Sequence, residues 1–256
     1  MCLIALAWQV SEQPLVLLGN RDEFHARPTR EAQFWADEGW PDLLAGKDLE
    51  AGGSWLGVTR SGRFAALTNI RTPGAPVGLR SRGELVAGFL TSTLSPRHYL
   101  DGIEAHCKEF GGFNLLVGDI EQLCYLNSHE ALPRELRPGY YGLSNAALDA
   151  PWPKLTALRT GLQRATLTET EALMALLADP RQYPDEQLPK TGVSLDWERA
   201  LSAAFIVGEA YGTRASSVLR ITADERVELV ERRFGPGAVE LGESRYEFAL
   251  EADQRA

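Results

Sequence analysis

The chain reads as an α+β protein with helices packed on sheet layers, and three observations predict it. Apolar runs of strand length fill the first 70 residues. Two separate stretches of helical periodicity follow, and strands return between and after them. Strands and helices kept in separate blocks argue for α+β. No internal repeat, low-complexity segment or interdomain linker interrupts residues 1–256, so one domain is expected.

Residues 2–8 and 14–19 are apolar runs joined by a polar turn that contains Pro14, the pattern of a β-hairpin. Residues 25–53 read as a long irregular connection, and connections of that length inside a domain are often functional. Two further strands, 54–59 and 63–69, flank the tight-turn pair Ser61-Gly62. Helices are expected over 82–93 and 97–109. In the second, Tyr99, Leu100, Ile103, Cys107 and Phe110 fall at amphipathic spacing. "FNLLVGD" and "QLCYLNS" form a strand pair; helices follow at 153–163, 169–178 and 195–202. The last strands expected are "AAFIVGE", "RASSVLRIT", "RVELVERRF" and "SRYEFALE".

The composition narrows the function. With 44% apolar and 24% charged residues the chain is an ordinary globular protein. A net charge of −9 without a basic block argues against a nucleic-acid partner. No apolar run approaches the ~20 residues of a membrane span, and polar residues arrive by Gln9, too early for a secretory signal. Cys2, Cys107 and Cys124 are odd in number and lack metal-ligand spacing, so a reducing, cytoplasmic setting is expected. Composition fixes no oligomeric state.

The chemistry starts at Cys2. Methionine is commonly trimmed before a small residue, and trimming leaves Cys2 with both a thiol and a free α-amine. Such an amine titrates near ~7.7–8.0 and can take the thiol's proton at neutral pH. An inert buried cysteine at a strand end is the plainer alternative. The second strand runs into Asn20, Arg21, Asp22 and Glu23, and a hairpin brings its end beside Cys2. Arg21 there would favour thiolate, and Asp22 would hold the amine. Asn69 and Asn145 stand at strand ends where side-chain amides can meet an oxyanion, although such residues also serve simply as turn formers.

"GGSWLG" lacks the lysine and spacing of a phosphate loop; its glycines permit a close turn, with Trp55 packing. Trp35, Trp40 and Trp55 bracket the long connection and are candidate walls of an apolar ligand site. His25 and His98 read as exposed and unpaired, so no metal site is expected.

The sequence resembles the NRDE family, also called the transport and Golgi organisation protein 2 family. The matches are the initial "MC", "GNRDEF" with "RPT" close behind, "GGSWLG", "GRFAALTN", "GLSNAALDAPWPK" and "YGTRASSV", spread over residues 1–220. That resemblance implies a branch of the N-terminal nucleophile (Ntn) hydrolases, whose fold is a four-layer αββα sandwich. It also implies likeness to cysteine enzymes such as bile salt hydrolases and penicillin V acylases. Carried over residue by residue, their nucleophile matches Cys2, their Arg and Asp match Arg21 and Asp22, and their oxyanion asparagines match Asn69 and Asn145. A late arginine matches Arg214 weakly. In those enzymes Arg and Asp stand three apart, whereas Arg21 and Asp22 are adjacent. Neighbours on a strand face opposite ways, so either Asn20 with Asp22 or Arg21 with Glu23 faces Cys2.

Two functions follow. One is a cytoplasmic hydrolase of a small or lipid-like amide, working through Cys2 and its own α-amine without a cofactor. The other is a carrier of haem, lipid or acyl-coenzyme A on the same scaffold, with Asn20, Glu23, Trp55 and Arg214 as ligand contacts. Fold alone does not choose between them.

Overall fold

A computed structural model describes residues 2–75 and 78–251. Met1, whose removal the sequence predicts, lies outside the described residues.

The first sheet has the order β10-β1-β2-β11-β12-β13, every neighbouring pair antiparallel. Its strands are β1 (Cys2–Val10), β2 (Gln13–Phe24), β10 (Gly139–Leu143), β11 (Tyr211–Ile221), β12 (Arg226–Phe234) and β13 (Glu240–Ala249). The second sheet runs in chain order through β3 (Thr29–Trp35), β4 (Trp40–Asp48), β5 (Leu56–Thr59), β6 (Phe64–Asn69), β7 (Phe113–Gly118), β8 (Leu123–Asn127) and β9 (Arg134–Glu135). Helices α1 (Gly83–Thr91) and α2 (Pro96–Glu104) interrupt the second sheet; α3 (Pro153–Arg164), α4 (Thr170–Leu177) and α5 (Leu195–Ala200) precede β11.

Alternation along β1 builds two of the three large cores. Ile4, Leu6 and Trp8 point between the sheets, against Leu44, Val58, Phe64 and Leu116. Leu3, Ala5 and Ala7 point the other way, onto Leu155, Leu158 and Leu162 of α3 and Leu173 and Leu177 of α4. The outer face of the second sheet is covered by α1 and α2 through Leu85, Val86, Phe89, Leu90 and Leu100. Helix, sheet, sheet, helix: this is the expected four-layer αββα sandwich. The β1–β2 hairpin turns at Ser11 and Glu12, both left-handed at φ 49° and 60°, the backbone sense that matches strand twist. Gly62 closes the β5–β6 turn, donating to the Thr59 carbonyl at 3.0 Å with φ +81°.

Three expectations are corrected. Residues 25–53 are not one irregular connection but carry β3 and β4. Their register breaks between Arg30 and Gln33 and again between Phe34 and Trp35, and such bulges blur the period-2 pattern that sequence reading relies on. The "AAFIVGE" run is not a strand. Ala203, Ala204, Phe205 and Ile206 are buried, but their backbone bonds reach Asp179 and Thr213 instead of a ladder. An apolar run reports burial, not conformation. The helix expected over 97–109 stops at Glu104, and Cys107–Glu109 tighten into a 3-10 turn that keeps Cys107 and Phe110 in the same core.

One end of the sandwich is held rigid by polar bonds between the sheets. The Arg71 N–H donates to the Asn145 carbonyl at 2.8 Å, and the Thr68 hydroxyl to the Ser144 carbonyl at 2.5 Å. The Asn114 amide holds the Ala146 carbonyl at 2.7 Å. This fixes the segment after β10 against the end of β6, beside the start of β1.

Candidate active site

Cys2 is the first residue of β1 and pairs directly with Arg21 of β2. Direct cross-strand partners share a face, with Cβ atoms ~4.5–5.5 Å apart. Alternation then settles which residues accompany the thiol. Arg21 and Glu23 share the inter-sheet side with Cys2; Asn20 and Asp22 point toward the helices.

A cavity of about 550 Å³ opens between the sheets at this end, lined by Cys2, Arg21, Glu23, Trp55, Asn69 and Arg82 among others. Asp22 also lines it. Trp55 comes from the turn "GGSWLG". Gly53 there has φ +74°, and a Cβ would lie 2.2 Å from the carbonyl carbon of Gly83, so only glycine lets this turn meet the start of α1. The Trp55 ring stacks under the Arg21 guanidinium, 4.3 Å from its centroid. Trp35 is instead buried in the outer core and Trp40 is exposed, so of the three only Trp55 walls the site.

The helix-facing residues do different work. The Asn20 amide donates to the carbonyls of Leu177 and Ala204, each at 2.8 Å, and its oxygen accepts from the Ser216 hydroxyl at 2.6 Å. Asp22 accepts from the Thr213 hydroxyl at 2.7 Å. Burial pushes the Asp22 carboxyl above its ordinary range, and the nearby Lys154 ammonium works against that.

Lys154 escaped the sequence reading. It is 3% exposed, donates to the Ala203 carbonyl at 3.3 Å, and burial pushes its pKa down to about 8 while Asp22 pulls it back up. A signal existed. Lys154 follows Pro153 in the first turn of α3, where the helix dipole disfavours a cation, so a carboxylate partner was to be expected. Arg71, also missed, forms a buried ion pair with Glu198 at 2.8 Å and adds positive potential near Asp22. Arg82 lies within electrostatic range of Cys2 on the far side of the cavity and donates to the Gly112 carbonyl at 3.3 Å.

The Cys2 thiol is pushed up, chiefly by burial, with the Asp22 and Glu23 charges adding to it and Arg21 drawing it back. Arg21 draws the thiol down, but burial outweighs it and leaves the Cys2 thiol above its ordinary range. Asn69 lines the cavity with Cys2. Asn145 is 1% exposed and donates its side-chain amide to the Asn69 carbonyl at 2.9 Å, which holds Asn69 in place. Arg214 does not line the Cys2 cavity; it lines a neighbouring one. His98 is exposed but its Nδ1 meets the Ser95 hydroxyl at 2.8 Å, and His25 is half-buried. Among the described residues no group of three His, Cys, Asp or Glu side chains is placed to hold a metal, and no helix is long and apolar enough to cross a membrane.

The family model described as Transport and Golgi organisation 2 matches residues 1–236. The Transport and Golgi organization protein 2 homolog of Bos taurus is 36% identical over 259 residues, covering 93% of each chain. The Homo sapiens homolog is 34% identical with the same coverage. A solved structure, the Caenorhabditis elegans N-acylethanolamine-hydrolyzing acid amidase ortholog, superposes with a TM-score of 0.51 at 12% identity. It covers 69% of this chain and 86% of that one, a likeness of fold alone.

Proposed function

The chain belongs to the Transport and Golgi organisation 2 family, and on that premise we propose that it is an N-terminal-cysteine amidohydrolase of a small or lipid-like amide. The observation that carries the reading is the Cys2–Arg21 pair at the mouth of a polar cavity between the sheets. A thiol whose pKa burial raises needs a base, and once Met1 is removed the α-amine of Cys2 is the nearest one.

In this mechanism the neutral amine takes the thiol proton as sulfur attacks the amide carbon. The carbonyl oxygen becomes an oxyanion, and the Asn69 amide and the Arg82 guanidinium are the donors on the cavity wall that would meet it. The ammonium returns the proton to the leaving nitrogen as the C–N bond breaks, giving an acyl-thioester and free amine. Water, deprotonated by the same amine, then attacks the thioester carbon; sulfur leaves as thiol and the acid is released. Asp22 and Lys154 set the charge around the amine; Asn145 positions Asn69. That the N-acylethanolamine-hydrolyzing acid amidase ortholog of Caenorhabditis elegans shares the fold supports the reaction class by analogy.

The test is intact mass followed by competitive alkylation with iodoacetamide. The expected mass lacks Met1, and Cys2, half-buried on the cavity wall, reacts well before Cys107 and Cys124, which are buried. Retained Met1, or full turnover by Cys2→Ala, overturns the N-terminal-cysteine mechanism, and no turnover by wild type overturns the hydrolase. A protein that binds a haem or lipid ligand in this cavity without turnover would instead be the carrier.

A further inference from the structure

A second cavity, about 320 Å³, lies beside the first, between β2, β11 and β12 of one sheet and β3 of the other. Arg21 and Trp55 line both cavities and form the partition between them. The second is rich in guanidinium groups: Arg21, Arg30, Arg214 and Arg233, against the carboxylates Glu31 and Glu231.

Two of these arginines are already neutralised. Arg233 pairs with Glu31, and Arg30 with Glu38 at 2.6 Å. Arg21 and Arg214 are not: neither has a carboxylate within 4.0 Å among the described residues. Arg21 is only 6% exposed, yet its Nη1 has no hydrogen-bond partner among those residues. Arg214 is the extra residue of a β-bulge between Thr213 and Ala215, and a bulge re-aims the side chain it carries. Its Nη1 is tied to the Arg27 carbonyl at 2.5 Å and the Phe24 carbonyl at 3.3 Å, which fixes the fork while leaving Nε without a partner among the described residues. Glu231 does not compensate. Its Oε1 accepts from the Ala32 N–H at 2.8 Å, and burial pushes its carboxyl toward the neutral form.

Two like charges held on one cavity wall, Arg21 buried and Arg214 half-buried, repel each other until an anion joins them. Fixed, planar guanidinium forks favour oxyanions that accept two bonds at once. We infer that this second cavity is an oxyanion subsite, where Arg21 and Arg214 hold a carboxylate or phosphate group of the ligand. Taken with the hydrolase reading, on which this part rests, it defines a substrate class: an amide with its carbonyl at Cys2 and an anionic end past the Trp55 partition.

Calorimetric titration of the full chain with inorganic phosphate and, separately, with glutarate tests the site without any turnover. Saturable binding of at least one is expected, weakened about ten-fold or more by Arg214→Gln and less by Arg214→Lys, which keeps the charge but loses the fork. Phosphate alone, or glutarate alone, identifies which oxyanion fits. No saturable binding of either, or binding that Arg214→Gln leaves unchanged, overturns the subsite. If Arg214→Gln does not fold, the Arg214→Lys weakening decides alone. A matched pair of amides, with and without a terminal carboxylate, separates the two claims. Anion binding with neither amide hydrolysed removes the hydrolase and keeps the site. Hydrolysis of both at equal rates, without anion binding, does the reverse.

Discussion

The two faces of the last residues of β2 are made of the same kinds of side chain and do opposite things. On the helix side, Asn20 makes three hydrogen bonds and Asp22, although it reaches the cavity edge, sits in a polar cluster with Thr213 and Lys154. On the inter-sheet side, Arg21 keeps a nitrogen without a partner among the described residues and stacks on Trp55 beside the Cys2 thiol, facing open cavities. Polar groups that satisfy one another hold a fold together; polar groups left facing space are available to a ligand. Strand alternation sends the four consecutive polar residues to two faces, and what packs on each face makes one pair scaffold and leaves the other to the cavity.

Substitutions on each side sharpen that division. Cys2→Ala, on the reactive side, is expected to lower amide turnover by about 10⁴-fold or more while leaving the thermal midpoint nearly unchanged. A large fall in midpoint would place Cys2 in the scaffold. Lys154→Ala, on the scaffold side, leaves the Asp22 carboxylate buried without its nearest ammonium and is expected to destabilise the fold by ~3–5 kcal/mol in urea unfolding. An effect below about 1 kcal/mol would show that the cluster is not the support described. Asn20→Ala strips hydrogen bonds from two buried carbonyls and is expected to cost ~2–3 kcal/mol by the same measurement. Trp55→Ala removes the partition under Arg21. It is expected to weaken ligand binding by ~1–2 kcal/mol with little loss of stability, read by titration.

Acidity separates the faces again. On the reactive side, turnover is expected to rise with pH through ~7–8 as the α-amine loses its proton. On the scaffold side, the Lys154 pKa falls from 10.5 to about 8 in the folded chain. Between those values the unfolded chain binds the extra proton, so this group makes stability rise with pH across that window. Lys154→Met should remove that part of the slope, seen as a smaller midpoint gain between pH 8 and 10 than in wild type.

The β1–β2 hairpin and the positions of the five helices were legible because each rests on local periodicity and turn chemistry; the four-layer order was implied by the family resemblance, not by any local pattern. Strands β3 and β4 were not, since bulges and charged positions such as Arg30 and Lys47 break their alternation. The site was half legible. Cys2, Arg21, Trp55 and Asn69 meet at one cavity as their motifs imply. Lys154, Arg71 and Arg82 come from distant segments whose approach no local pattern records, and Arg214 belongs to a different cavity because a bulge turns it there.

By itself the sequence determined that Cys2 and the four polar residues of β2 would lie side by side, since a tight hairpin leaves its two strands few registers. Which face of that pair would be walled and which left open was decided only by tertiary packing. Two helices close one side with matching carbonyls and an ammonium; the second sheet stands off on the other, propped by Trp55, and leaves space. Alternation assigns side chains to faces, but only what packs against a face makes it core or cavity.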